Sequence, residues 1–171
     1  MTGLPLQEGM AAPPRAVLSY ITTENVEGGL LEEVETILPA NMSDVVPDPP
    51  SIWIVEGITT TDEGKSPNLS QTNFMKTPYE FICVAYDSDG IEETMVAARN
   101  LATRAGASIL KNFNRVKALP EDPDRVFTAI RFSAFNPAGV LQIEGKSESV
   151  AAASIVFDFI YPIQWLYCTR R

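Results

Sequence analysis

The stretch from Pro78 to Phe113 constrains the fold of this chain more than any other. It reads PYEFICVAYDSDGIEETMVAARNLATRAGASILKNF: a strand, a tight acidic turn and one long helix. At 3.6 residues per turn, Ile91, Met95, Ala98, Ala102, Ala105, Ile109 and Phe113 share one narrow face, while Arg99, Asn100, Arg104 and Lys111 lie off it. Asp89 is placed to cap the helix, with Glu92 three residues on as in a capping box. Glu92 and Glu93 meet the positive end of the helix dipole, and Lys111, Arg115 and Lys117 the negative end. Ala98, Ala102, Ala105 and Gly106 make the centre of the apolar face small, so the helix can lie close against a sheet.

The strand before it, Tyr79 to Tyr86, is apolar on both faces. Tyr79, Phe81, Cys83 and Ala85 point one way; Ile82, Val84 and Tyr86 point the other. A sheet with one face in water alternates more cleanly, so both faces of this sheet are expected to be covered, the second by another subunit.

At 171 residues the chain is long enough for one domain with a real core. The formal net charge of −9 is unevenly spread. Residues 1–64 hold eleven acids and one base, Arg15, whereas residues 65–171 hold eleven acids and twelve bases. An acidic third facing a neighbour's basic helix end suits head-to-tail association, and two differently solvated faces of a monomer explain the same asymmetry. The acidic total argues against gripping a nucleic-acid backbone, which needs Lys and Arg to displace counterions. No apolar run has the length of a membrane span, and the N-terminus lacks a signal peptide's pattern. Cys83 and Cys168 give neither a disulfide framework nor metal spacing.

Taken in order, residues 1–14 read as an extended arm. Residues 15–162 read as one α+β domain, and residues 163–171 as a docked apolar C-terminal tail. Leu30, Leu31, Val34, Ile37 and Leu38 have helical spacing that Pro39 ends, and Val17–Val26 is a possible backward extension. Pro47, Pro49 and Pro50 lead into the short strand Ile52–Val55, where Trp53 reads as core or interface. Residues 58–77 form a long polar loop or hairpin. After the central helix, LPEDPD (119–124) reads as a turn and Val126–Phe135 as a strand. Asn136–Gly139 reads as a second turn, Val140–Ile143 as a short strand, and Val150–Tyr161 as the last strand.

Chemistry is sparse. The chain has no histidine, which removes Ser-His-Asp and Cys-His schemes and imidazole zinc sites. No Gly-rich phosphate loop is present. Asp87-x-Asp89 sits where a cap is wanted, and Glu32, Glu33 and Glu35 read as a solvated face rather than a metal site. Glu144-x-Lys146 resembles a fragment of restriction-type nucleases, with Asp122 and Asp124 as the nearest upstream acids, in a Pro-rich turn. No catalytic, metal or cofactor site is assigned.

The segments LLEEVETILP, PDPPSIWIVEG, PYEFICVAYDSDGIEETMVAARNLATRAGASIL and SVAAASIVFDFIYP cover most of residues 26–162. Their order resembles the tail terminator or tail-completion proteins of long-tailed bacteriophages, including the tail-to-head joining type. The resemblance implies one mainly antiparallel sheet of four to five strands flanked by two main helices. It implies six copies in a ring in the virion neck, made in the host cytoplasm. The tail tube protein would lie on one side and the head connector on the other, with a lumen that DNA crosses without specific binding. It implies no catalytic residues. Another neck, connector or minor tail protein is the alternative, as are a Mg²⁺-dependent nuclease and an adaptor that binds a peptide on a sheet edge. The expected inter-subunit contacts are Glu32, Glu33, Glu35, Arg99, Arg104, Lys111, Trp53, Trp165 and Tyr167.

Overall fold

The computed structural model describes residues 14, 16–39, 48–62, 74–112, 118–119, 122–142 and 149–162. A helix, α1, covers residues 16–22. It is followed by β1 (Thr36–Pro39), β2 (Ser51–Glu56), β3 (Thr60–Thr61), β4 (Phe74–Ala85) and α2 (Ile91–Asn112). The chain continues through β5 (Ala118–Leu119), β6 (Asp122–Val126), β7 (Ala129–Gln142) and β8 (Ser149–Pro162). Six strands form one mixed sheet in the order β1-β2-β4-β8-β7, with β3 paired to β4. Only β1 and β2 run parallel; the other pairs in this sheet are antiparallel. This is an α+β fold with a single main sheet, as the order of apolar segments predicts.

The centre of the sheet is the β4–β8 ladder, twelve paired positions from Phe74↔Pro162 to Ala85↔Ala151. Side chains alternate along it. Tyr79, Phe81 and Cys83 face the helices together with Ala153, Ile155, Phe157 and Phe159, and all are buried. Ala98, Ala102, Ala105 and Ile109 of α2 are fully buried against this face. Gly106 explains how close the helix comes, because a Cβ there would lie 2.5 Å from Ile155 Cδ1. Val17, Tyr20 and Ile21 of α1 join the same core. Tyr20 meets Phe159 edge-on at 6.2 Å, and Phe127 and Tyr79 close around Phe159 at 5.0 and 5.4 Å. Such edge-to-face pairs add modestly to the burial that drives the core together.

The opposite face carries Trp53, Ile82, Ser154 and Asn136 in one row across four strands. Val84 and Ile160, on this face, are 2% and 0% exposed, while Trp53, Ile82 and Val156 are half-buried. Within the chain this second face is therefore covered only in part, at Val84 and Ile160.

Several local expectations are corrected. The helix predicted over Leu30–Leu38 is absent: residues 23–33 are turns, and Thr36–Pro39 is strand β1. Gly28, at φ +75°, lies in these turns, and Asn25 Nδ2 donates to the carbonyls of Leu31 (2.7 Å) and Val34 (2.9 Å). Those carbonyls no longer need helical partners, and the open edge of β2 takes Thr36–Pro39 instead. The cap of α2 is also displaced. Gly90, not Asp89, precedes the first helical residue, at φ +144°, a backbone state that glycine adopts most readily. Asp87 Oδ1 accepts the Asp89 amide at 2.9 Å, and the Asp87 amide donates to Thr94 Oγ1 at 3.1 Å. Ile91, expected on the buried face, is 58% exposed; burial begins at Thr94.

Asn136–Gly139 is no turn. β7 runs unbroken through it, with register shifts between Phe132 and Ala134 and between Asn136 and Gly139. The Pro137 ring, which has no amide to donate, is accommodated by the second bulge on an edge strand. Of LPEDPD, expected as a turn, Leu119 lies in β5 and Asp122, Pro123 and Asp124 lie in β6, which pairs with β5 antiparallel. β4 begins at Phe74, five residues before the expected strand start, and pairs with β3, so the ends of the polar loop do form a hairpin ladder. The expectations for residues 1–13 and 163–171, for Phe113, and for Glu144 and Lys146 lie outside the described residues.

Candidate assembly interface

Four of the six charged side chains expected to bridge subunits, Glu32, Glu33, Arg104 and Lys111, have polar partners inside the chain. Arg104, on α2, forms an ion pair with Glu33. Lys111 Nζ donates to Glu24 Oε2 at 2.9 Å. Glu24 is 5% exposed and also accepts from Asn112 Nδ2 at 3.2 Å and from the Leu30 amide at 3.3 Å. The Lys111 hydrogen bond, opposed by burial, holds the Glu24 carboxyl below the usual carboxylate range. Glu24 was missed in the sequence because a single acid between two threonines and an asparagine gives no pattern. Glu32 Oε2 accepts the Gly28 amide at 3.0 Å, and Glu35 is exposed. The three clustered glutamates are thus spread over a turn. Arg99 is exposed, with its guanidinium 6.0 Å from the Phe135 ring centroid. Trp53 is half-buried on β2, and its Nε1 has no hydrogen-bond partner among the described residues. Trp165 and Tyr167 lie outside the described residues.

Two features were not legible beforehand. The first is the edge of the sheet. β7 is fourteen residues long, and among the described residues its outer side has no partner strand. Phe132, Val140 and Leu141 along it are 59%, 44% and 42% exposed. A long edge with exposed apolar side chains is a template for association unless something covers it. Pro137 and its bulge interrupt the edge near its middle, and Arg131 stands near one end, so the exposed apolar side chains lie on either side of the bulge.

The second is a groove of about 620 Å³ between the first half of α2 and that bulge. Met95 and Val96 form one wall and Pro137 and Ala138 the other. Asp87, Glu92 and Glu93 lie at one end and Arg99 along the side. Val96 is 56% exposed.

The other clusters are structural. On the second sheet face, Glu80 Oε1 accepts from Ser154 Oγ at 2.5 Å and from Asn136 Nδ2 at 3.2 Å, tying β4, β8 and β7 together. Burial raises the Cys83 thiol far above its ordinary pKa, so it stays protonated and unreactive. Among the described residues no group of three or more Asp, Glu or Cys side chains could hold a metal ion, and no helix is long and apolar enough to cross a membrane.

No protein-family model matches the sequence, and no curated protein matches it. The fold is similar to a chain in the solved virion of a native gene transfer agent particle. That match covers 90% of this chain and 96% of the other at 13% identity, with a TM-score of 0.47.

Proposed function

We propose that this chain is a structural virion protein that assembles as a ring of identical copies at a head–tail junction. The ring, of six copies by the resemblance of its segments to tail terminators, would end the tail tube and dock to the head connector. A channel for DNA would pass through it. The observation that carries this reading is the β7 edge, which has no partner strand among the described residues, with Phe132, Val140 and Leu141 exposed along it. Scattered surface hydrophobics need no explanation, but several on one unpaired edge strand mark a contact. A ring uses a heterologous interface, in which one patch meets a different one. The charge is asymmetric along the chain, with eleven acids and one base in residues 1–64 against eleven acids and twelve bases in residues 65–171, which suits a contact between unlike patches. A net charge of −9 disfavours adhesion to DNA phosphate, which suits a channel wall.

Multi-angle light scattering of the purified chain, alone and mixed with tail tubes, tests the reading. A closed oligomer, or binding confined to tube ends, supports it. A chain that stays monomeric and also ignores tubes overturns it. Binding to connector rings but not to tubes would move the protein to the neighbouring position in the neck.

A further inference from the structure

We propose that the groove between α2 and the β7 bulge receives the C-terminal segment, residues 163–171, of a neighbouring copy. This rests on the ring reading above and names one of its contacts. The segment that follows β8 reads IQWLYCTRR, with Ile163, Trp165, Leu166 and Tyr167 followed by Arg170 and Arg171. Its apolar body matches the walls of Met95, Val96, Pro137 and Ala138, and its two arginines match the acidic end at Asp87, Glu92 and Glu93. A groove of about 620 Å³ falls in the range that encloses large ligand groups.

Reach decides between a chain's own segment and a neighbour's. Asn136 pairs with Ser154 and Gly139 with Ala152, so Pro137 and Ala138 lie level with that part of β8. Pro162 follows Ser154 by eight positions, roughly 26 Å at about 3.3 Å per residue. Ile163 to Tyr167 end five positions past Pro162, a span of at most about 18 Å even fully extended. A chain's own apolar segment therefore falls short of its own groove. A segment from the next subunit has no such limit, and placing it there buries apolar surface on both copies.

The native Cys168 allows a direct test in the full-length protein. Val96→Cys puts a thiol on the exposed groove wall, whereas Cys83 is buried. Mild oxidation with copper–phenanthroline of the assembled Val96→Cys protein, alone or on tail tubes, should give a ladder of disulfide-linked dimers and larger species. The yield should exceed that of the unsubstituted protein at least tenfold. Adding Cys168→Ser should abolish the ladder, and Ile58→Cys, at a position 84% exposed outside the groove, should not reproduce it. An assembled ring without the ladder, or a link formed within single chains, overturns the inference and leaves the ring reading standing. A chain that forms neither ring nor ladder overturns both.

Discussion

Lys111, in the last turn of α2, reaches back across 87 positions of the chain and donates to Glu24 Oε2 at 2.9 Å. This contact joins the C-terminal end of the central helix to the turn after α1. Lys111 was expected to serve a neighbouring subunit; half of its side chain remains exposed, while that of Glu24 is 6% exposed. The buried partner therefore sets the energetics. Glu24→Gln keeps the shape and removes the charge, weakening the bonds from Lys111, Asn112 and the Leu30 amide. Stability should fall by about 1–3 kcal/mol, read as a lower urea midpoint at unchanged slope.

The same carboxylate gives the fold an acid-sensitive contact. Its folded-state pKa is depressed, so its contribution is fully present above the unfolded value of about 4.3. That contribution is lost as pH falls through the folded value. Urea titrations at pH 6 and pH 3 should show a larger loss for the unsubstituted protein than for Glu24→Gln. Equal losses would show that the Glu24 contact is no stronger than its counterpart in the unfolded chain.

Tyr20 behaves in the opposite sense. It is fully buried, its hydroxyl has no hydrogen-bond partner among the described residues, and burial pushes its pKa up to about 12. Stability is therefore present below pH 10 and lost as pH rises from there toward 12. Tyr20→Phe removes an unpaired buried hydroxyl and should leave neutral-pH stability unchanged or raised by up to about 1 kcal/mol. The variant should also lose less stability than the parent between pH 10 and 12.

Ala102 is fully buried where α2 presses on the sheet, next to the close approach at Gly106. Ala102→Leu should destabilise the fold by about 1–3 kcal/mol through overpacking, measured by thermal or urea unfolding. Gly106→Ala should cost less, since Ile155 Cδ1, the atom it would meet, is the end of a side chain that can rotate away.

The edge of β7 separates assembly from folding. Phe132→Lys and Leu141→Lys place charge on exposed edge positions, so unfolding midpoints should change little. Oligomer or tube-bound fraction should drop at least tenfold in sedimentation. Arg104→Glu provides the contrast. Its partner Glu33 lies in the same chain with both side chains over a third exposed, so the pair is worth no more than about 1 kcal/mol. The Glu33→Arg, Arg104→Glu double variant should recover what the single one loses. If assembly is lost in the single variant and not recovered in the double, Arg104 serves a neighbour as well.

The charged contacts show where reading a sequence reaches its limit. Arg104 and Lys111 were correctly placed off the buried stripe of α2, but their partners, Glu33 and Glu24, lie 71 and 87 positions away. No local pattern encodes such pairs. Leu30–Leu38 failed for a related reason: its spacing is helical, but the Asn25 side chain and the waiting edge of β2 outweigh a weak local preference. Asn136–Gly139 has turn composition, yet eleven paired positions with β8 hold it in the ladder as a bulge.

By itself the sequence determined the long helix, its narrow face of small residues, the two-sided apolar strand beside it, and hence a helix packed on one sheet. These depend on periodicity, and periodicity is written in neighbouring residues. Only the tertiary structure decided that Thr36–Pro39 joins the sheet, that β7 is one continuous edge, and that a groove opens between its bulge and α2. Those outcomes depend on which distant segments compete for the same hydrogen bonds and buried area, and that competition is resolved only when the whole chain is folded.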